Sequence, residues 1–252
     1  MKAETNFQKN PSQSNIDTAL REVMENSNPF FPVRVHYTSH EDYRKNFIHP
    51  HWHREMEILY IAKGEMDVVI EDVSFNAKSG DIIVIPPKII HGGLNSKNLP
   101  CDFYAIVFDL DFLGNGRDDA VSTYCLDPFL ASPENFIVSL GNEQEFHPQL
   151  LFYINAVIEA YKSKNKFYET AIKGYLTLFF HDVHVNHSNF RRHQTNNTSR
   201  KHTNSHMSKR IIAYIESHYH DTNLNLEAIS DYMGVTKEHF CRFFKKISTS
   251  HF

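Results

Sequence analysis

From Pro32 to about Asp111 the chain alternates short apolar runs with turn residues. The runs "VRVHY", "EILYIA", "DVVIED", "DIIVIPP" and "DFYAIVFDL" are separated by Gly64, by Lys78-Ser79-Gly80 and by Gly92-Gly93. Many short β-branched and aromatic segments bounded in this way predict the strands of a sandwich or a small barrel. From Pro148 the period becomes helical. Leu150, Leu151, Ile154, Val157, Ile158 and Tyr161 fall on one helical face, and Phe167, Ala171, Tyr175, Leu178 and Val185 form a second such stripe. The second helix also carries Ile172, Leu176, Phe179, Phe180 and Val183 on its other sides, more apolar surface than one contact needs. A second copy of the chain or the strands of its own chain would cover the excess.

Residues 187–207, "HSNFRRHQTNNTSRKHTNSHM", contain no Leu, Ile or Val and read as a polar linker. Beyond it Ser208 to Tyr219 predicts a helix with Ile211, Ile212, Ile215 and Tyr219 on its apolar side. The stretch "NLNLEAISDYMGVTKEHFCRFFKK" then predicts a short helix, a break and another helix. Asn225 caps the first, Thr236 caps the second, and Gly234 permits the tight turn between them. Phe240, Phe243, Phe244 and Ile247 form the inner face of the second helix, against Ile229, Met233 and Val235. This is the punctuation of a helix-turn-helix. On the outer face lie Glu238, Cys241, Arg242 and Lys245, where Arg242 can pair with guanine O6 and N7 in a major groove. Lys237, Lys245 and Lys246 suit phosphate contacts.

Composition sharpens the division. The chain has 252 residues, 41% hydrophobic and 13% aromatic, enough to build cores in two modest domains. No apolar run approaches the ~20 residues needed to span a bilayer, and no basic start followed by an apolar stretch opens the chain. A soluble, cytoplasmic protein without a membrane partner is expected. Cys101, Cys125 and Cys241 are scattered and odd in number, which suggests neither a disulfide framework nor a CxxC metal knuckle. Residues 1–186 hold 16 Lys and Arg against 25 Asp and Glu, whereas residues 187–252 hold 10 against 5. A basic C-terminal part on an acidic body points the tail toward a polyanion.

The densest chemistry lies in "HPHWHREMEILYIAKG", residues 49–64. On a regular strand His51, His53 and Glu57 share one face, which in a small barrel is the interior. The spacing His51-x-His53-x3-Glu57-x6-Gly64, followed by Gly80-x5-Pro86-x4-His91-x3-Asn95, resembles both signature motifs of the cupin family. Lys88 stands where the second motif usually has glycine. The resemblance implies a double-stranded β-barrel and makes His51, His53, Glu57 and His91 candidate ligand-binding residues. In metal-binding cupins the corresponding residues hold a divalent ion, and three imidazoles with a carboxylate suit Zn²⁺, Fe²⁺, Mn²⁺ or Ni²⁺. A polar pocket floor packed by Trp52 and Tyr60, with no resident metal and no cofactor, is the expectation adopted from the sequence.

Barrel, helical pair, polar linker and the closing "IIAYIESHYHDTNLNLEAISDYMGVTKEHFCRFFKKISTSHF" together resemble the AraC/XylS family of bacterial transcription regulators along almost the whole chain. The resemblance implies an α+β protein. It assigns residues 1–31 to an N-terminal extension, 32–146 to a cupin-like sensor barrel and 147–186 to a helical pair for homodimerisation. Residues 187–207 are then the linker, and 208–252 the first helix-turn-helix of an AraC-type DNA-binding domain. Such a domain contains two helix-turn-helix units, and the second is missing here. A deliberately shortened chain, an incomplete gene model and a shortened natural product remain open explanations. The implied partners are promoter DNA and a small-molecule effector such as a sugar or metabolite; the implied protein is not an enzyme. The alternatives are a cupin metalloenzyme, such as a dioxygenase or isomerase, and a truncated dimerisation or inhibitory protein. Effector identity, activation against repression and the operator are not encoded in recognisable residues.

Overall fold

The computed structural model describes residues 16, 20–22, 28, 30–39, 46–71, 73–95, 97, 99–114, 119–127, 138–141, 147–186, 211, 214–215, 218–221, 224–233, 237 and 240–241. The predicted linker lies outside the described residues. The chain divides into two compact units, one of residues 1–68 with 75–193 and one of residues 194–252 with 69–74. No described helix is long and apolar enough to cross a membrane.

The first unit is a curled antiparallel sheet followed by two helices. Its strands are β1 (Val33–Thr38), β2 (Asn46–His51), β3 (Met56–Ile70), β4 (Val73–Lys78), β5 (Ile82–Ile85), β6 (His91–Leu94), β7 (Cys101–Phe108) and β8 (Val138–Leu140). The main path runs β1-β7-β3-β5-β8, while β4 pairs β3, and β6 pairs both β2 and β3. Strand β3 is the spine, with Leu59 facing Ile83 on one side and Ala105 on the other.

The sequence divides this spine at Gly64, but the structure does not. Gly64 takes φ +75°, and a Cβ added there would overlap the carbonyl oxygen of Pro100. The register against β7 shifts between Ile61 and Lys63. The glycine therefore bends one long strand where a turn was expected. Gly92 and Gly93, also expected in a turn, lie within β6.

Alternation along the strands sorts side chains onto two faces. Val33, Val35, Met56, Ile58, Ile82, Val84, Ile106 and Phe108 pack outward against α1 (His147–Ser163) and α2 (Tyr168–Val185) in one core cluster. Glu57, Leu59 and Ile61 take the opposite, inward face. His147 ties the helical pair to the sheet, its Nε2 donating to the Gly80 carbonyl at 2.7 Å.

On α1 the buried residues after His147 are Leu150, Tyr153, Ile154, Val157, Ile158 and Tyr161, close to the predicted stripe. On α2 the structure chooses between the two apolar faces that the sequence left open. Ile172, Leu176, Phe179, Phe180 and Val183 are buried, whereas Phe167, Leu178 and Val185, placed on the stripe by sequence, are exposed. Both faces are apolar, so periodicity alone could not choose between them, and the sheet takes the one with the larger rings.

The two neighbouring residues Leu178 and Phe179 make the choice measurable. Phe179→Ala is expected to cost about 3–5 kcal/mol of protomer folding free energy, whereas Leu178→Glu should change it by no more than about 0.5 kcal/mol once the dependence of the urea midpoint on protein concentration is subtracted. Urea unfolding of both variants checks this.

Candidate functional site

Three strands supply the inward cluster. His51 closes β2, Glu57 is the second residue of β3 and His91 opens β6. His53 lies in the corner between β2 and β3. The expectation that His51, His53 and Glu57 share one regular strand is corrected, because the chain bends at Arg54 and Glu55. The pairing of β2 with β6 also slips twice, between Asn46 and Ile48 and between Ile48 and His51. These irregularities set His51 directly opposite His91.

All four side chains are nearly inaccessible, at 1–3% exposure. Each imidazole is fixed by its Nδ1, which donates to a nearby carbonyl: His51 to His49 at 2.8 Å, His53 to Glu55 at 3.1 Å and His91 to Ile89 at 2.9 Å. Every Nε2 is thereby left for the centre. His53 Nε2 and His91 Nε2 converge on a single oxygen, Glu57 Oε2, at 2.9 and 3.0 Å. In the register Glu57 faces Ile85 and Val107, so the carboxylate has apolar cross-strand neighbours. Burial alone would raise the Glu57 carboxyl; the charge of His91 and the hydrogen bonds from His53 and His91 reverse this and hold it well below the ordinary carboxylate range.

With Nδ1 protonated, a neutral imidazole presents a lone pair at Nε2. Two such lone pairs aimed at one carboxylate oxygen repel it unless positive charge lies between them. Protons on both nitrogens can supply that charge, and so can a divalent cation. One donor atom from each of His51, His53, Glu57 and His91 lies within 4.8 Å of the others. Small movements bring this set to the ligand spacing of a transition-metal ion, and the carbonyls that fix Nδ1 are its outer support. The residues fit a metal, which supplies Lewis acidity and an anchoring charge when bound.

Sequence reasoning missed Glu22. It lies in the segment read as an N-terminal extension, yet it is buried with Oε2 3.4 Å from His51 Nε2. Burial works to raise its carboxyl, but the hydrogen bond and charge of His51, with the charge of His53, bring it below the usual value. No motif spacing pointed to this residue.

The one departure from the second motif, and its matched asparagine, have structural accounts. Lys88, in the place of glycine, adopts φ +63°, and its N–H donates to the His53 carbonyl at 2.7 Å. The left-handed conformation that glycine takes without strain is therefore kept by a lysine. Asn95 does not join the cluster; its Oδ1 accepts from the Leu99 N–H at 3.0 Å and shapes the loop after β6.

In the second unit, α3 (Leu226–Met233) begins where predicted, with Asn225 Oδ1 accepting from the Ala228 N–H at 3.0 Å. The Tyr214 and Tyr232 rings stack with centroids 4.2 Å apart, and Phe240 is buried as expected. Tyr219, predicted on the apolar side of its helix, is exposed. Lys237 and Cys241 are exposed, and Lys237 Nζ pairs with Glu227 Oε1 at 2.9 Å. Glu238, Arg242, Lys245 and Lys246 lie outside the described residues.

A family model described as an AraC-like ligand binding domain matches residues 35–180. The chain is 23% identical over 232 residues to the uncharacterized HTH-type transcriptional regulator YdeC of Bacillus subtilis strain 168, covering 92% of this chain and 77% of the relative. Among solved structures, unsaturated fatty acid bound wild-type ToxT from Vibrio cholerae aligns over 89% of this chain and 94% of its own, with 12% identity and a TM-score of 0.42. An RmlC-like cupin from Shewanella frigidimarina aligns over 31% of this chain and 67% of its own, with 19% identity and a TM-score of 0.27.

Replacing Lys88 by glycine relieves the left-handed strain while keeping the amide that holds His53. Lys88→Gly is expected to raise stability by about 0.5–1 kcal/mol, the strain relieved exceeding the entropy added to the unfolded chain. A lower urea midpoint would contradict this account of the position.

Proposed function

The chain belongs to the AraC-like ligand binding domain family, and from that membership we propose that it is a transcription regulator that senses a small ligand in the barrel and binds promoter DNA through the helix-turn-helix. The observation that carries the proposal is the buried four-donor centre inside the matched span. The capped helix at Asn225 and the sequence pattern through Lys246 support the DNA-binding half. A relative named as an HTH-type transcriptional regulator favours this over a cupin metalloenzyme.

The sequence favoured a pocket without a resident metal. The fixed tautomers support a divalent cation instead, held by Nε2 of His51, His53 and His91 and by Oε2 of Glu57. At 1–3% exposure these side chains leave room for an ion after small inward movements, whereas a sugar or other metabolite requires the barrel to open. Any signal requires the ligand to prefer one arrangement of the protein over another.

The exposed face of the helical pair supports a homodimer. Ala171, Tyr175, Leu178, Asp182 and Val185 follow a four-three spacing along α2, and Phe152 of α1 meets the Tyr175 ring at 6.1 Å. Leu178 and Phe152 are 47% and 55% exposed, unusual for large apolar residues on a helical surface.

Selection of bound sequences from a random duplex pool tests the DNA-binding half. Against the selected site Arg242→Ala is expected to cost about 1–3 kcal/mol and relax preference at one base position. Lys246→Ala should weaken all sequences alike and lower the salt slope by roughly one unit. An unenriched pool, or an Arg242→Ala protein with unchanged affinity and specificity, would remove this assignment. For the dimer, analytical ultracentrifugation at micromolar concentration should find two copies in the wild type and one in Leu178→Glu.

A further inference from the structure

Glu22 reaches the centre from outside the barrel motifs. Leu20 to Glu22 lies along the end of β2 through a parallel bridge between Arg21 and Trp52. The Glu22 N–H donates to the Trp52 carbonyl at 2.9 Å, and the Trp52 N–H donates to the Leu20 carbonyl at 2.8 Å. The Arg21 guanidinium stands 5.8 Å from the centre of the Trp52 ring. This clamp sets Glu22 Oε2 3.4 Å from His51 Nε2. That nitrogen is the one the His49 carbonyl leaves to the centre.

We propose that Glu22 is a fifth ligand of the cation centre formed by His51, His53, Glu57 and His91, so that filling the centre fastens residues 20–22 onto the barrel. The inference rests on the metal reading given above. Two lines of physical chemistry carry it. The first is spacing. Ligand atoms about 2.1 Å from one ion stand about 3.0 Å apart at a right angle and about 3.4 Å apart at the tetrahedral angle. The Glu57 contacts at 2.9 and 3.0 Å and the Glu22 contact with His51 at 3.4 Å fall at these edge lengths, and the four donors, spread over 4.8 Å, draw in around an ion together with Glu22.

The second is charge. Three neutral imidazoles and Glu57 leave one net positive charge with a divalent ion, in a centre closed from water. The Glu22 carboxylate, itself 7% exposed, neutralises it. If Glu22 stayed out of the shell, His51 Nε2 would be taken by the ion and a buried carboxylate would lose that hydrogen bond.

The full chain, stripped of metal by chelation, should be titrated with Co²⁺, whose visible spectrum reports the number and type of ligands. The wild type, Glu22→Gln, Glu22→Asp and Glu159→Gln are compared, with circular dichroism checking that each is folded. Glu159 is the control, an exposed carboxylate on α1, whose helix packs on the opposite face of the sheet. Expected are one Co²⁺ per wild-type chain, about tenfold or more weaker binding with an altered spectrum in Glu22→Gln, partial recovery in Glu22→Asp and no change in Glu159→Gln. Amide exchange of residues 20–22 should slow on adding Co²⁺ to the wild type but not to Glu22→Gln. Unchanged or tighter binding by Glu22→Gln, or equal weakening by Glu159→Gln, overturns the fifth ligand while the metal reading stands. A wild type that takes up no Co²⁺ removes both.

Discussion

Glu57 is a carboxylate placed on the inward face of the central strand, between Ile85 and Val107, and its position sets the terms for everything around it. A lone buried anion is too costly for a fold of marginal stability, so polar partners that can hold a proton or a cation against it have to be brought to it. The chain does so from two directions. A corner after β2 delivers His53, and the opening residue of β6 delivers His91, both within hydrogen-bond distance of one oxygen. The slipped register of β2 is the geometric consequence, since a regular strand could not bring His51 opposite His91 and still turn His53 toward Glu57.

The outer support follows from the same constraint. Three carbonyls, from His49, Glu55 and Ile89, each take the Nδ1 proton of one imidazole, so every ring is held by backbone of its own neighbourhood. The amide of Lys88 in turn holds the His53 carbonyl, at a residue forced into the left-handed region. Strain at that residue persists because the surrounding sheet fixes it, as is common where side chains must be aimed. The motif's glycine thus marks a backbone requirement, and lysine meets it with strain that glycine would not have.

The sequence made much of this legible because its signals were local. Strand alternation, the change of period at Pro148, the cap at Asn225 and the two histidine motifs each depend on residues close together in the chain. What it hid depended on distant partners. Gly64 reads as a turn until Pro100 is seen against it, and the α2 stripe could not be chosen without knowing that the sheet lay on the side of Phe179 and Phe180. Glu22 was invisible for the same reason: 29 residues separate it from His51, in a segment with no periodic pattern. A contact made by a short bridge of backbone leaves no repeat in the sequence to read.

Closure of the centre also constrains how the proposed sensing could work. A ligand shifts an equilibrium only by its difference in affinity between two states. A site already shaped for its occupant, with every Nε2 fixed in advance, binds tightly but distinguishes two states only if one of its donors belongs to a part that can leave. His51, His53, Glu57 and His91 all sit on or beside paired strands and have no such freedom. Among the described residues the short segment carrying Glu22 is tied to β2 by backbone hydrogen bonds at Trp52 alone, and local opening begins where few bonds must break. In the proposed sensing role a difference in affinity between two states would therefore draw on that segment, while the four buried donors would supply the strength of binding.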